Sequence, residues 1–202
     1  MELGVREQQR QRTQAAILDV AAQEFDRRGY ADVSLSDIAA KVGVTKGAVY
    51  FHFPSKAALA TKIIEKYFVA WQALLGEIDA QELKGIPALR WLSHAVAERY
   101  QQDPGVRAPL RLMREADIIG LDFPTPFVAW INVVTEKLEE AHNMGVLQDH
   151  IDVYDAAWQI VASFFGAQEV SHHLRGRDDL VERVDKMWQL LLPALTVHDS
   201  KP

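Results

Sequence analysis

Between residues 43 and 56 the chain reads Gly43-Val44-Thr45-Lys46-Gly47-Ala48-Val49-Tyr50-Phe51-His52-Phe53-Pro54-Ser55-Lys56. From Thr45 to Tyr50 it offers a hydroxyl, an ammonium, a bare glycine and a phenol. Lys46 can donate to guanine O6 and N7 or to a phosphate. Gly47 lacks a side chain, so its backbone can approach a partner closely. Ala48 and Val49 can meet a thymine methyl. Tyr50 and His52 can donate to phosphate oxygens, with core packing as the other reading for Tyr50 and a plain surface position for His52. Phe51 and Phe53 read as core aromatics. Ser55 and Lys56 open a further helix, whose first N–H groups attract anions. No acidic residue falls between Lys41 and Lys56. This is the chemistry of a helix laid against DNA.

Two short helices must hold that stretch. Ser34 is a good N-cap, since its hydroxyl accepts an N–H of the first turn. Leu35, Ile38, Ala39 and Val42 then fall at i, i+3, i+4 and i+7, which makes one face apolar. Gly43 supplies the left-handed residue that ends this helix, and Thr45 caps the next. Two helices joined by a short turn with glycine form a helix-turn-helix, whose second member enters the major groove. The candidate DNA-contacting residues are therefore Ser34, Thr45, Lys46, Gly47, Tyr50, His52 and Lys56. A preceding helix over residues 7–28, with Ile17, Leu18, Ala21, Ala22 and Phe25 inward, packs beneath them. The residues before it are polar and expected to fray, and Arg6, Arg10 and Arg12 lie where such a tail can brush a phosphate.

The formal charge of the 202 residues is −6. Residues 1–56 hold eight basic and seven acidic side chains, and residues 57–202 hold fourteen and twenty-one. The acidity thus belongs to the body, which would repel DNA except where the basic face touches it. There is no Cys, so no disulfide scaffold, thiolate metal site or Cys nucleophile is expected. No apolar run is long enough to span a bilayer, and the start lacks an apolar signal core. A cytoplasmic protein with no membrane association, no cofactor and no metal is expected.

The whole chain reads as all-α, with about nine helices. The division expected is a three-helix helix-turn-helix domain over residues 1–54 and a helical ligand-binding and dimerisation domain over residues 55–202. A long fourth helix to about residue 78 joins the two. Later helices are read over residues 86–102, 107–119, 127–144, 153–174 and 178–197. The last two are apolar on more than one face, which suits a four-helix interface across a twofold axis. Gly166, inside the helix over residues 153–174, costs about 1 kcal/mol in helix propensity and is expected to serve close packing or a ligand.

Residues 45–56, preceded by Ile38-Ala39 and Gly43-Val44, resemble the DNA-binding signature of the TetR family of transcriptional regulators. The segment Lys46-Gly47-Ala48-Val49-Tyr50-Phe51-His52-Phe53 is most similar to the γ-butyrolactone receptor branch, which controls antibiotic production in actinomycetes. The resemblance covers roughly residues 12–59. It implies a homodimer on operator DNA, released by a small hydrophobic ligand. It also implies a ligand-contacting tryptophan, and Trp130 stands at the matching place. By position, Phe127, Tyr67, Phe68, Trp71, Met113, Ser163 and Phe164 are further candidates for the ligand pocket. Tyr67 and Ser163 can hydrogen-bond a carbonyl or hydroxyl, and the lack of an obvious cation favours a neutral ligand. Arg111 and Arg114, which bracket Met113, are the open exception.

Three alternatives stay open. A drug-responsive repressor of an efflux gene would share the head and differ in the body. A receptor homologue without a ligand would have a filled cavity. An enzyme is the remote one: His94 and Glu98 sit one turn apart but lack a third metal ligand, and neither a phosphate-cradling glycine loop nor a Gly-x-Ser-x-Gly elbow is present.

Overall fold

The computed structural model describes residues 2–125 and 127–197, with the side chains of residues 2 and 3 left aside. Ten helices lie in this part: α1 (Glu2–Arg28), α2 (Leu35–Val42), α3 (Lys46–His52), α4 (Lys56–Ala80), α5 (Gly85–Gln102), α6 (Pro104–Arg114), α7 (Ala116–Ile119), α8 (Val128–Asn143), α9 (Val153–Arg175) and α10 (Leu180–Leu195). Among the described residues there is no strand, only an isolated bridge between Leu147 and Thr196. The all-α expectation holds, with one helix more than expected. Asp103 caps α6 and Pro104 opens it, as their residue types predict, and the stretch read as one helix over 107–119 breaks at Glu115. The first helix already begins at Glu2, ahead of the start expected at residue 7. Within it Arg10 is clamped by Glu7, with hydrogen bonds of 2.9 and 2.8 Å.

The chain forms two compact units, Met1–Trp71 with Asp103–Pro126, and Gln72–Gln102 with Phe127–Pro202. These differ from the expected cut after residue 54. Most of α4 goes with the head, and α6 and α7 return to it.

In the first unit α1 packs on α2 and α6. Ile17, Phe25, Val33, Ile38, Val49 and Leu59 are fully buried there. The carboxylate of Glu24 is buried in α1 and accepts from Lys41 of α2 and from Arg27. The Lys41 ammonium, ahead of Arg27, holds the Glu24 carboxyl down at about 2. On the other side Arg107 meets Asp26 at 2.8 Å, Arg111 donates to the Asp26 carbonyl at 2.7 Å, and Glu115 accepts from the Tyr30 amide at 2.6 Å. Arg111 is thus engaged in fastening α6 to the end of α1. Gly29 has φ +83°, and a Cβ there would lie 2.6 Å from the Arg111 guanidinium, so this turn requires glycine.

In the second unit α8 packs on α5 and α9, and α10 on α5 and α9. Trp188 of α10 is buried and its indole N–H donates to Ser93 of α5 at 2.7 Å. Lys137 of α8 is buried against Glu140 at 2.7 Å, and Glu140 in turn accepts from the Gly85 amide. Within one protomer Gly166 packs against nothing: it is exposed, and a Cβ there would meet nothing within 4 Å. Phe127 does not begin α8 as a helical residue. It stands at its N-cap with φ +72°, a left-handed conformation that costs a non-glycine residue roughly 1–2 kcal/mol.

Candidate nucleic-acid interface and apolar cavities

The capping expected between α2 and α3 is present in full. Ser34 and Asp37 form a reciprocal capping box, with bonds of 3.0 and 3.1 Å. Gly43 closes α2 at φ +78°, and the Thr45 oxygen accepts from the Ala48 amide at 3.1 Å. These short helices gain their fixed ends from caps, since each is too short to be stable alone.

Val49 and Phe53, one turn apart, are buried and anchor α3 from one side. Lys46, Gly47 and Tyr50 occupy the exposed side. The Lys46 ammonium lies 5.7 Å from the Tyr50 ring centre, so the phenol steadies the cation at the surface. An open groove of about 490 Å³ runs beside them, lined by residues 31–37, Lys46, Tyr50 and residues 54–56. It gathers Ser34, Lys46, Tyr50 and Lys56. Thr45 and Gly47 stand exposed at the start of α3, and His52 is half-buried at its end. Burial, and then the nearby Arg10 charge, pushes the His52 imidazole below its usual value. It is therefore a neutral donor at pH 7.

Two expectations need correcting. The Lys56 ammonium does not reach outward. It donates to the carbonyls of Tyr30 at 2.7 Å and Val33 at 2.9 Å and lies 4.1 Å from the Tyr30 ring centre. A lysine so held positions the loop before α2, because leaving the Tyr30 and Val33 carbonyls without it would be costly. Burial lowers its own pKa. Phe51, read as a core aromatic, is 74% exposed. The signal was present in the spacing: Val49 and Phe53 share a face, and a residue midway between them points to the opposite side of a helix.

The expected pocket residues divide. Tyr67, Phe68, Trp71 and Met113 belong to the first unit, and Phe127, Trp130, Ser163 and Phe164 to the second. In the second unit Trp130 is buried, stacked on Phe164 at 6.1 Å and edge-on to Phe165 at 5.5 Å. A cavity of about 20 Å³ lies among Trp130, Phe164, Phe165, Leu92 and Trp188. Beside it an apolar cleft of about 220 Å³ is lined by Phe127, Ile131, Trp158, Val161, Ala162 and Phe165. Ser163 lines neither, because it stands two residues from both Val161 and Phe165 and so points to the opposite side of α9. The four residues of the first unit line neither as well. Phe165, Ile131 and Trp158 were missed by the sequence reading. Phe165 is adjacent to Phe164, and its partner Phe127 carried no sign of a left-handed backbone.

His94, weighed as a metal ligand, lies 3.0 Å from Asp185 of α10. Among the described residues there is no group of three potential metal ligands, and no helix long and apolar enough to cross a membrane.

Two family models match the chain: "Bacterial regulatory proteins, tetR family" over residues 17–63 and "Tetracyclin repressor-like, C-terminal domain" over residues 84–197. The A-factor receptor protein of Streptomyces griseus is 36% identical over 183 residues, which is 91% of this chain. The chain spans 63% of that receptor's length. The solved structure of CprB from Streptomyces coelicolor with its operator sequence superposes with a TM-score of 0.84 at 33% identity, covering 94% of this chain and 91% of that one. A solved γ-butyrolactone receptor superposes with a TM-score of 0.81 at 32% identity, covering 93% and 90%. The capped α2–α3 pair with its exposed Lys46-Gly47-Tyr50 face falls inside the first matched segment, and the body carrying both apolar cavities falls within the second. The chain is a member of the TetR family of bacterial regulatory proteins.

Proposed function

We propose that this protein is a transcriptional repressor that binds operator DNA as a homodimer and is released by a small, neutral, hydrophobic signalling molecule of the γ-butyrolactone or butenolide type, controlling genes of antibiotic or secondary metabolism. The observation that carries the reading is the outward face of α3. There a free ammonium, a glycine with open space above it and a phenol stand together on a helix anchored from behind by Val49 and Phe53. The DNA-contacting set is Ser34, Thr45, Lys46, Gly47, Tyr50 and His52, with Lys56 as the residue that positions the loop. DNA binding places the protein in the bacterial cytoplasm.

The dimer is supported by Val170 and Leu174 on α9 and Leu190 on α10, which stand 57%, 74% and 78% exposed. Such side chains on adjacent helices call for an apolar partner surface. In a symmetric dimer the two α3 helices read half-sites about one DNA turn, roughly 34 Å, or a multiple apart.

The ligand reading rests on Trp130, Phe164 and Phe127 in an apolar environment, and on similarity to the γ-butyrolactone receptors along nearly the whole chain. That length of similarity favours a lactone over the efflux-drug alternative. Ligand and DNA then bind different arrangements of the dimer, and each weakens the other by the same factor, typically about 1–3 kcal/mol in such couplings. The test is a gel shift on the promoter nearest the protein's own gene, with and without an organic extract of the producing culture. A shift released by the extract supports the reading. A shift that no extract disturbs leaves a DNA-binding protein and rejects the lactone.

A further inference from the structure

Arg6 and Arg10 stand outside the groove between α2 and α3. From Gly4 to Leu18 the chain holds three arginines and a single acid, Glu7. The core-facing stripe of α1 runs through Ala21 and Ile17, both fully buried. At the helical period that stripe continues through Gln14 to Arg10, Glu7 and Arg6, whereas Arg12 points to the opposite side. Burial fades along it: Gln14 is half-buried, and Arg10 and Arg6 are exposed. The stripe that packs under the head therefore runs past the edge of the core as a basic face. It emerges beside α3, because the charge of Arg10 acts on the imidazole of His52, the last residue of that helix. Lys46 stands at the other end of α3, about 9 Å away along the axis. Glu7 holds Arg10 through two hydrogen bonds and also accepts from Gln11 at 3.1 Å.

We propose that Arg6 and Arg10 form a second DNA-binding element, an arm of α1 that grips the phosphate backbone beside the phosphates met by Tyr50 and His52. This rests on the DNA-binding reading above. A guanidinium can hold a phosphate through two parallel N–H bonds. The Glu7–Arg10 pair is exposed on both sides and so adds little to the free protein. A phosphate can therefore take over the Arg10 guanidinium. Glu7 then opposes the complex, since it is carried up to the same phosphates. Arg12 faces away and takes no part. The arm reads no base, and its contribution does not depend on sequence. It helps to present the basic end of an otherwise acidic chain to DNA.

The test uses the full-length protein, a labelled duplex selected from random sequence by the parent, and an unrelated duplex of equal length. Anisotropy is read over a range of salt concentrations. Arg6→Ala and Arg10→Ala should each flatten the dependence of log K on log salt by about 1.8 in the dimer, which is roughly a 30-fold loss at about 0.15 M salt. The loss should be equal on both duplexes. Arg12→Ala should bind both like the parent. Glu7→Gln should bind both more tightly, by roughly two- to fivefold, the range for one exposed charge pair. Urea unfolding of the free variants should match the parent, because all four side chains are exposed. The proposal is overturned if R6A and R10A keep the parent's salt slope, or if R12A loses as much as they do. It is also overturned if the loss falls on the selected duplex alone, which would assign the arginines to bases, or if E7Q binds no more tightly than the parent. A parent protein that selects no duplex at all rejects the DNA-binding reading itself.

Discussion

Gly47 separates stability from DNA binding in a single substitution. It lies in the first turn of α3, is exposed, and a Cβ built on it would meet only the Thr45 hydroxyl at 3.9 Å. The folded protein therefore has room for alanine. Gly→Ala in a helix with compatible backbone stabilises by about 0.4–1 kcal/mol, largely by restricting the unfolded chain. For a chain of this size that is an increase in Tm of roughly 1–4 °C. On DNA the sign reverses. If the α3 backbone at Gly47 rests against the major-groove surface, an added methyl overpacks the contact at about 1–3 kcal/mol. That is a loss of roughly 5- to 150-fold in affinity for each half-site. The assay is fluorescence anisotropy with a labelled duplex selected by the parent protein, alongside urea unfolding of the free protein. Gly47→Ala should be more stable and bind more weakly. Equal affinity with raised stability would remove this face of α3 from the DNA. A loss of stability would show that the space above Gly47 is not open.

Lys46→Ala should weaken operator binding and flatten the dependence of log K on log salt by about 0.9 per lost phosphate contact, hence about 1.8 for a dimer; a weakened complex with an unchanged slope would assign Lys46 to a base instead. Glu24 is a pH-dependent fastener of α1 to α2. Its folded pKa, about 2, is depressed, so its contribution is complete above the ordinary carboxylate range and is lost as pH falls toward 2. Glu24→Gln should cost about 1.5–3 kcal/mol at pH 7 and remove part of the acid-side slope of stability, measured by urea unfolding from pH 7 to pH 3. Trp130→Ala should leave operator affinity in place and abolish release by ligand in the same gel shift; a normal response would place the ligand elsewhere.

Much of the head was legible in the chain because short-range chemistry decides it. Ser34, Asp37, Gly43 and Thr45 act on backbone groups within four residues, so their types and spacing define where α2 and α3 begin and end. The outward set Lys46-Gly47-Tyr50 follows from the same helical period. Phe51 shows that this period was informative even where hydrophobicity misled. Lys56 was illegible, since its partners Tyr30 and Val33 are more than twenty residues away and a lysine in a basic stretch carries no mark of being turned inward. The body depended still more on distance in sequence. Its helices could be seen from their apolar stripes. Only packing could decide that Arg111 fastens α6 to the Asp26 carbonyl of α1, and that Phe165 rather than Ser163 stands beside Trp130. A sequence states which side chains a helix carries and at what angles. Which of those angles meets a neighbour is settled by the crossing of helices far apart in the chain, and the volume left between them exists only in the tertiary structure.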